Sequence, residues 1–388
     1  MASKQKRIYL DYAATTPVDE RVLEAMRPYF TQVFGNPSST HTFGQEAEAA
    51  VEEARESVAR TLNCQAEEIV FTSCGSESDN LALRGAAFAA RQQRGAKHLL
   101  IAAAEHHAIA HTAEQLDRLY GFQVEMIPVD AAGRVQVDEV ERRIRADTAL
   151  ASVMYANNEI GTLNPVSEIS EVCRARGVLF HTDAVQAAAH LPVDVQALKV
   201  DLLSLGAHKF YGPKGVGALY VRKGTPLIPS QTGGGQEFGL RAGTHNVPYL
   251  VGMAEALRLA QEERSDRAAR LQALRDRLIG QTLENIPGAF LTGCPVRRLP
   301  NHASFVFEGV DGNTLLRLLD MEGFACSSGS ACKSGDPKPS GVLLALGLPP
   351  KLALGSLRVT LGKDTRPETI EDFLATLPEV VERCRRLA

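Results

Sequence analysis

Short uninterrupted apolar runs recur through the first two-thirds of the chain, separated by longer stretches with helical spacing. The runs at 68–72, 98–103, 123–129, 149–156, 178–182, 201–205 and 216–221 predict strands. Most are apolar at successive positions instead of alternating, as strands are when a parallel sheet is covered on both faces. The patterns at 44–62, 76–91, 108–119 and 165–176 predict helices between them. This βαβ alternation implies an α/β layered domain. One long helix is expected from 247 to about 284, in a stretch rich in Ala, Leu, Arg and Glu. Beyond it the pattern changes: a strand near 302–308, a helix near 313–322, a Gly/Ser loop at about 324–340, a strand at 356–361 and a final helix. That is the outline of a smaller α+β domain. The expected division is a large domain at 16–258 and a small one at 259–388, the latter joined by 1–15.

A length of 388 residues agrees with two or three globular units. With 42 Lys plus Arg against 46 Asp plus Glu the formal charge is −4, and no long basic run is present. A protein built to hold nucleic acid or an anionic membrane would carry the opposite bias. The apolar run at 99–104 is far too short to span a bilayer. The basic start at 1–7 is not followed by an apolar segment of signal-peptide type. Seven cysteines, an odd number with no CxxC pair, point to a reducing compartment, the cytoplasm, and to reactive instead of structural thiols.

Three segments then carry chemistry in a telling order. In the run FTSCGSESDN at 71–80 a strand enters a Thr/Ser/Gly turn and a helix begins near Ser76. Free N–H groups and the helix dipole favour an anion there, although the same residues would cap any helix. Asp183 ends a buried strand, where open α/β sheets bind ligands, or it caps a helix. His208-Lys209 is delivered by a strand into a Gly/Pro-rich turn. A lysine held so can have a lowered pKa and condense with a carbonyl. A phosphate-type helix start, a strand-end Asp and a strand-end Lys are together what pyridoxal 5'-phosphate requires. Further on, Cys332 lies among small, Pro and Gly residues beside Lys333, which makes it available and acidified. A metal pair with Cys326 is disfavoured by the spacing, so no intrinsic metal site is expected.

The motifs LDYAATTP (10–17), FGNPSSTH (34–41), EHHA (105–108), NNEIGT (157–162), HTDAVQ (181–186), AHKFYGPKGVGALY (207–220), RAGTHN (241–246), SSGSAC (327–332) and LRVTLG (357–362) extend over nearly the whole chain. With them the sequence resembles the cysteine desulfurases of the NifS/IscS type, group I, in the class V aminotransferase-like pyridoxal-phosphate family. The resemblance implies fold type I: a large, mostly parallel sheet sandwiched by helices, plus the smaller α+β domain carrying the cysteine loop. It implies that Lys209 holds the cofactor covalently and that Asp183 pairs with its pyridine nitrogen. Gly75, Ser76 and His208 would bind the phosphate, with Thr244 reaching in from the other subunit of a homodimer. Gln186 and Asn158 would bond the ring hydroxyl and its neighbours, and His106 would stack on the ring and move protons. Arg358 would clamp the substrate carboxylate, with Asn36 nearby. Cys332 would take sulfur from L-cysteine as a persulfide, leaving L-alanine. The sulfur would pass to acceptors such as an iron–sulfur scaffold, with Cys332 a transient cluster ligand at most.

Two positions depart from that family pattern. Gly206-Ala207 stand where a phosphate-binding serine is common, and Cys74 stands where glycine is common. Cys326, at the expected end of a strand, reads as a small buried hydrophobe. Selenocysteine lyase or another class V enzyme is the alternative activity. A catalytically silent sulfur carrier on the same fold is the alternative class.

Overall fold

The computed structural model describes residues 7–329 and 338–387. Seven strands form the main sheet in the spatial order Ile69–Thr72, Gly217–Val221, Leu202–Gly206, Leu179–Asp183, Thr148–Ser152, His98–Ala102, Gln123–Ile127. Gly217–Val221 runs antiparallel to both of its neighbours, and every other adjacent pair is parallel. The large mixed, mostly parallel sheet expected from the sequence is therefore present, flanked by helices.

Alternate residues of each central strand feed two separate cores, as the pleat requires. Ile69, Phe71, Leu100, Leu203 and Leu205 point into one core, which is closed by the helices Thr42–Leu62 and Val247–Glu262. Val70, Leu99, Ile101 and Leu202 point into the other, under Gly75–Arg94 and His107–Tyr120. Thr42–Leu62 shows why such a segment is helical and amphipathic. Ala47, Ala50, Val51, Ala54, Val58 and Leu62 recur every three or four residues and are buried. Its last turn is closed by Asn63 at φ 58°, and Gly95 and Gly121 end the other two helices in the same left-handed conformation.

A third core belongs to the C-terminal part. The antiparallel strands Ala289–Leu291, His302–Phe307 and Ser356–Thr360 pack against the helices Arg264–Asn285, Gly312–Met321 and Pro367–Leu387. The chain start joins this part: Leu10 is in its core, and Ile8–Tyr9 pairs in parallel with Phe324–Ala325.

Some expectations need correction. The strands expected to continue to 129 and 156 end at Ile127 and Ser152; beyond the first the chain turns back on itself, Val129 bridging Val135, and beyond the second it enters the site, where Met154 and Asn158 line the pocket. The single helix expected from 247 to 284 is two, Val247–Glu262 and Arg264–Asn285, meeting at Glu263. The break directs the second helix into the C-terminal core, and no Pro or Gly marks it. The helices Glu20–Met26 and Val137–Arg143 were not anticipated, being short.

Candidate active site

The strand ends on one edge of the main sheet open into a pocket of about 230 Å³. Eight residues singled out in the sequence line it together: Gly75, Ser76, His106, Asn158, Asp183, Gln186, His208 and Lys209. They come from widely separated segments. Cys74 precedes the helix Gly75–Arg94 and its side chain makes no capping bond to the first turn, so those N–H groups face the pocket uncapped. Where the serine before the His-Lys pair is missing, a side chain would fit only tightly. A Cβ on Gly206 would stand 3.3 Å from the Gly75 nitrogen. Ser204 on the same strand turns instead to His181, 3.0 Å from its Nε2.

Lys209 ends the 3-10 turn Ala207–Lys209 that follows the strand Leu202–Gly206. Its Nζ donates to the carbonyls of Ala13 and Ala14, each at 2.7 Å. Burial, and then the charge of Arg358, lower its pKa to about 8, against the opposing pull of Asp183 and Asp11. Gln186 Nε2 donates to the same Ala13 carbonyl at 2.8 Å. His208 Nδ1 lies 3.1 Å from the Thr15 hydroxyl, and burial beside two lysines pulls its pKa to about 4. It is neutral at physiological pH. His106 caps the helix His107–Tyr120, its Nδ1 accepting the Ala108 N–H at 3.1 Å, so that this nitrogen carries no proton.

Asp183 is 5% exposed and accepts the Val185 N–H at 2.8 Å. Burial raises its pKa, and His106 opposes the shift. Two more acids that sequence reasoning passed over lie beside it. Asp79 is 1% exposed with an unpartnered Oδ1, and Glu105 is 6% exposed with an unpartnered Oε2. Glu105 Oε1 accepts the Met154 N–H at 2.6 Å, and burial followed by Asp183 pushes its pKa up to about 8. Both acids stand inside motifs read from the sequence, SESDN and EHHA, but nothing local announces that a carboxyl will be buried.

Arg358 lies on the strand Ser356–Thr360, beside this pocket. It donates to the Asn158 carbonyl at 3.0 Å and to Asp11 at 2.8 Å, and its Nε has no partner. Asn36 and Thr244 are not in the pocket of the other eight. They meet in a separate recess with Tyr29, Phe30 and Phe34. Cys326 follows Phe324–Ala325 and packs against the C-terminal core, and burial raises its thiol pKa. Cys332 lies outside the described residues.

The family profile of the class V aminotransferases matches residues 8–373. The chain belongs to the class V aminotransferase family. Among curated relatives, a protein of Dictyoglomus turgidum named cysteine desulfurase IscS is 46% identical over 99% of this chain and 97% of its own length. One of the same name from Methanosarcina thermophila is 46% identical over 100% and 95%. Among solved structures, a NifS-like protein superposes with a TM-score of 0.90 at 38% identity, covering 97% of this chain and 100% of its own. A NifS-like protein from Rickettsia africae gives 0.86 at 28% identity over 97% and 99%. Class V membership makes the protein pyridoxal-phosphate dependent.

Proposed function

We propose that this protein is a pyridoxal-phosphate-dependent cysteine desulfurase that converts L-cysteine to L-alanine and a persulfide on Cys332. The observation that carries the reading is the lowered-pKa Lys209 amine converging with Asp183 and the uncapped start of Gly75–Arg94 in one pocket.

The residues fit that cofactor. The buried carboxyl of Asp183, at the strand end in this pocket, calls for a cation, which a protonated pyridine nitrogen supplies. The free N–H groups at Gly75 and Ser76 call for an anion, which its phosphate supplies. When bound, the cofactor withdraws electrons from the substrate Cα.

The chain's own groups do the rest. Lys209 would hold the cofactor covalently, and its pKa of about 8 suits it to take the Cα proton. Asp183 would keep the ring nitrogen protonated. Gly75, Ser76 and neutral His208 would bind the phosphate, while Gln186 and Asn158 would bond the ring substituents. His106 would stack on the ring, and its Nε2 is the nitrogen left to move a proton. Arg358, held by Asp11 and the Asn158 carbonyl, receives the substrate carboxylate. The Cys332 thiolate attacks the substrate sulfur. An S–S bond forms as the C–S bond breaks, its electron pair stays on carbon, and protonation there gives L-alanine.

The finer reading is a homodimer in which Thr244 completes the partner's site. The persulfide sulfur goes to acceptor proteins, an iron–sulfur scaffold among them. A cytoplasmic setting is supported by the six cysteines among the described residues, all free; no helix among those residues is long and apolar enough to cross a membrane. The domain reading of 16–258 and 259–388 with 1–15 is supported by the helix break at Glu263 and the separate C-terminal core. The test is incubation of the holoenzyme with L-cysteine, assaying alanine and persulfide together. Equal yields are expected, and Cys332→Ser should give no persulfide. Pyruvate in place of alanine, or persulfide formed on Cys326, overturns the assignment.

A further inference from the structure

Glu159 follows Asn158 in the motif at 157–162 and has no part in the reaction above. Its carboxylate stands where two distant stretches of chain meet. The Ser340 hydroxyl donates to Glu159 Oε2. Ser340 Oγ in turn accepts the Leu343 N–H at 3.3 Å, capping the short helix Gly341–Ala345, so its own proton is left to face the carboxylate. From the other side, Gly329 approaches so closely that a Cβ there would overlap Glu159 Oε2 and stand 3.0 Å from the Ser340 Cβ. Gly329 and Ser340 flank the segment that carries Cys332.

Both sides of this contact are anchored. Asn157 Oδ1 accepts the N–H groups of Glu159 and Ile160, at 2.8 and 3.0 Å, and fixes the turn. The neighbouring Asn158 carbonyl receives Arg358, and His302 Nε2 lies 3.1 Å from it. Ser327, just before Gly329, exchanges backbone hydrogen bonds with Arg358 at 2.7 and 3.2 Å. Ile160 is fully buried in a cluster with Val342, Leu343 and Leu346, so the turn that carries Glu159 also seats the helix after Ser340. The apolar packing holds one flank and the pairing with Arg358 holds the other. The Glu159 carboxylate joins them.

We propose that Glu159 is a positioning residue that clasps the two flanks of the Cys332 segment beside Arg358, and so limits where the thiol lies relative to the substrate sulfur. This rests on the desulfurase reading above. A chain whose ends are held together explores fewer conformations, and a reacting group kept near its target gains effective concentration. An amide oxygen can accept from Ser340 as a carboxylate oxygen does, so the clasp needs an acceptor at 159, not a charge.

The experiment compares holoenzymes carrying Glu159→Ala, Glu159→Gln and Gly329→Ala with the wild type. In Glu159→Ala, persulfide formation in a single turnover of L-cysteine should fall about 10- to 100-fold, as when a reacting group is misplaced. The L-cysteine concentration that half-saturates the change in cofactor absorbance should stay within about twofold, because binding precedes the thiol's step. Glu159→Gln keeps the acceptor and should restore the persulfide rate to within about threefold of wild type. Amide exchange at Leu343, whose N–H bonds Ser340, should quicken in Glu159→Ala and not in Glu159→Gln. Gly329→Ala should slow persulfide formation with the same split. Combined with Glu159→Ala it should cost less than the two losses multiplied, since one shared contact is broken. A wild-type persulfide rate in Glu159→Ala, a matching loss in half-saturation, a Glu159→Gln variant as slow as Glu159→Ala, or fully multiplicative losses overturns the proposal. Unchanged exchange at Leu343 in Glu159→Ala, with normal wild-type turnover, removes the clasp alone. A wild type that forms no persulfide fails the desulfurase reading itself, and the proposal falls with it.

Discussion

At the scale of single residues, Lys209 sets the reactivity of the site through its neighbours. Its amine must be unprotonated to react with the cofactor aldehyde, so uptake by the apoprotein should rise through pH 8, near its pKa. Arg358→Gln removes the neighbouring positive charge and should move that midpoint upward, whereas Asp183→Asn should move it downward. Stopped-flow absorbance against pH checks both signs. Arg358→Gln should also cut kcat/KM by about 10- to 100-fold, the loss of a charge-assisted hydrogen bond of roughly 1.5–3 kcal/mol. Glu105 provides a stability prediction. Its folded pKa, about 8, is raised above the ordinary 4.5. The stabilisation it contributes is complete below pH 4.5 and is lost as pH rises toward 8. Glu105→Gln should therefore make the apoprotein more stable than wild type at pH 8, by denaturant titration, with the difference shrinking toward pH 5. A variant less stable at pH 8 would show the carboxyl to be needed ionised. Lysine, Asp183 and the helix-start serine were legible in the sequence because strand ends and Gly-rich turns announce them. Asp79 and Glu105 were not, because the burial of a carboxyl is decided by segments far away in the chain.

At the scale of elements, the sheet strands were readable because double burial leaves a continuous apolar run. The break at Glu263 was not, since the composition on either side is the same. The loop at 230–246 shows what a pattern of motifs hides. Glu237 and Phe238 are held at φ 49° and 58°, the left-handed region that non-glycine residues seldom adopt. The strain is stabilised by the Glu237 carboxylate, which accepts from Arg55 at 2.8 Å on both oxygens, from the Phe71 N–H at 2.6 Å, and meets His245 at 2.6 Å. Despite its burial, Arg55 and His245 bring the Glu237 pKa down to about 2. Its contribution is present above pH 4.5 and lost as pH falls toward 2. Glu237→Gln leaves the Arg55 charge buried and should cost about 3–5 kcal/mol in denaturant unfolding. Because Thr244 precedes His245, the variant should also release cofactor faster. A stability change under about 1 kcal/mol would mean that the pair breaks even against its desolvation.

At the scale of the whole molecule, the chain start ties the two parts together across the pocket. Ile8–Tyr9 pairs with Phe324–Ala325, Asp11 holds Arg358, and the Ala13 and Ala14 carbonyls receive Lys209. The motif at 10–17 was visible in the sequence, but its role as a strap depends on contacts with residues some 200 to 350 positions away. A second incompleteness remains, and it bears on assembly. Asn36 and Thr244 line a recess apart from the pocket, bordered by Phe30 and Phe34, which are 52% and 66% exposed. Phe34 also stacks at 5.7 Å against Phe43, itself 54% exposed. Clustered exposed aromatics are the kind of surface an interface buries, and in the proposed homodimer a second copy seated there would let Thr244 serve the partner's pocket. The wild type should sediment as a dimer. Phe34→Glu places a charge in the contact and should shift the protein toward monomer, with retained cofactor falling about tenfold or more while the monomer fold, read by circular dichroism, persists. Activity per chain should then recover as protein concentration is raised. A wild type that sediments as a monomer with full turnover would overturn this, because Thr244 would then have no pocket to complete.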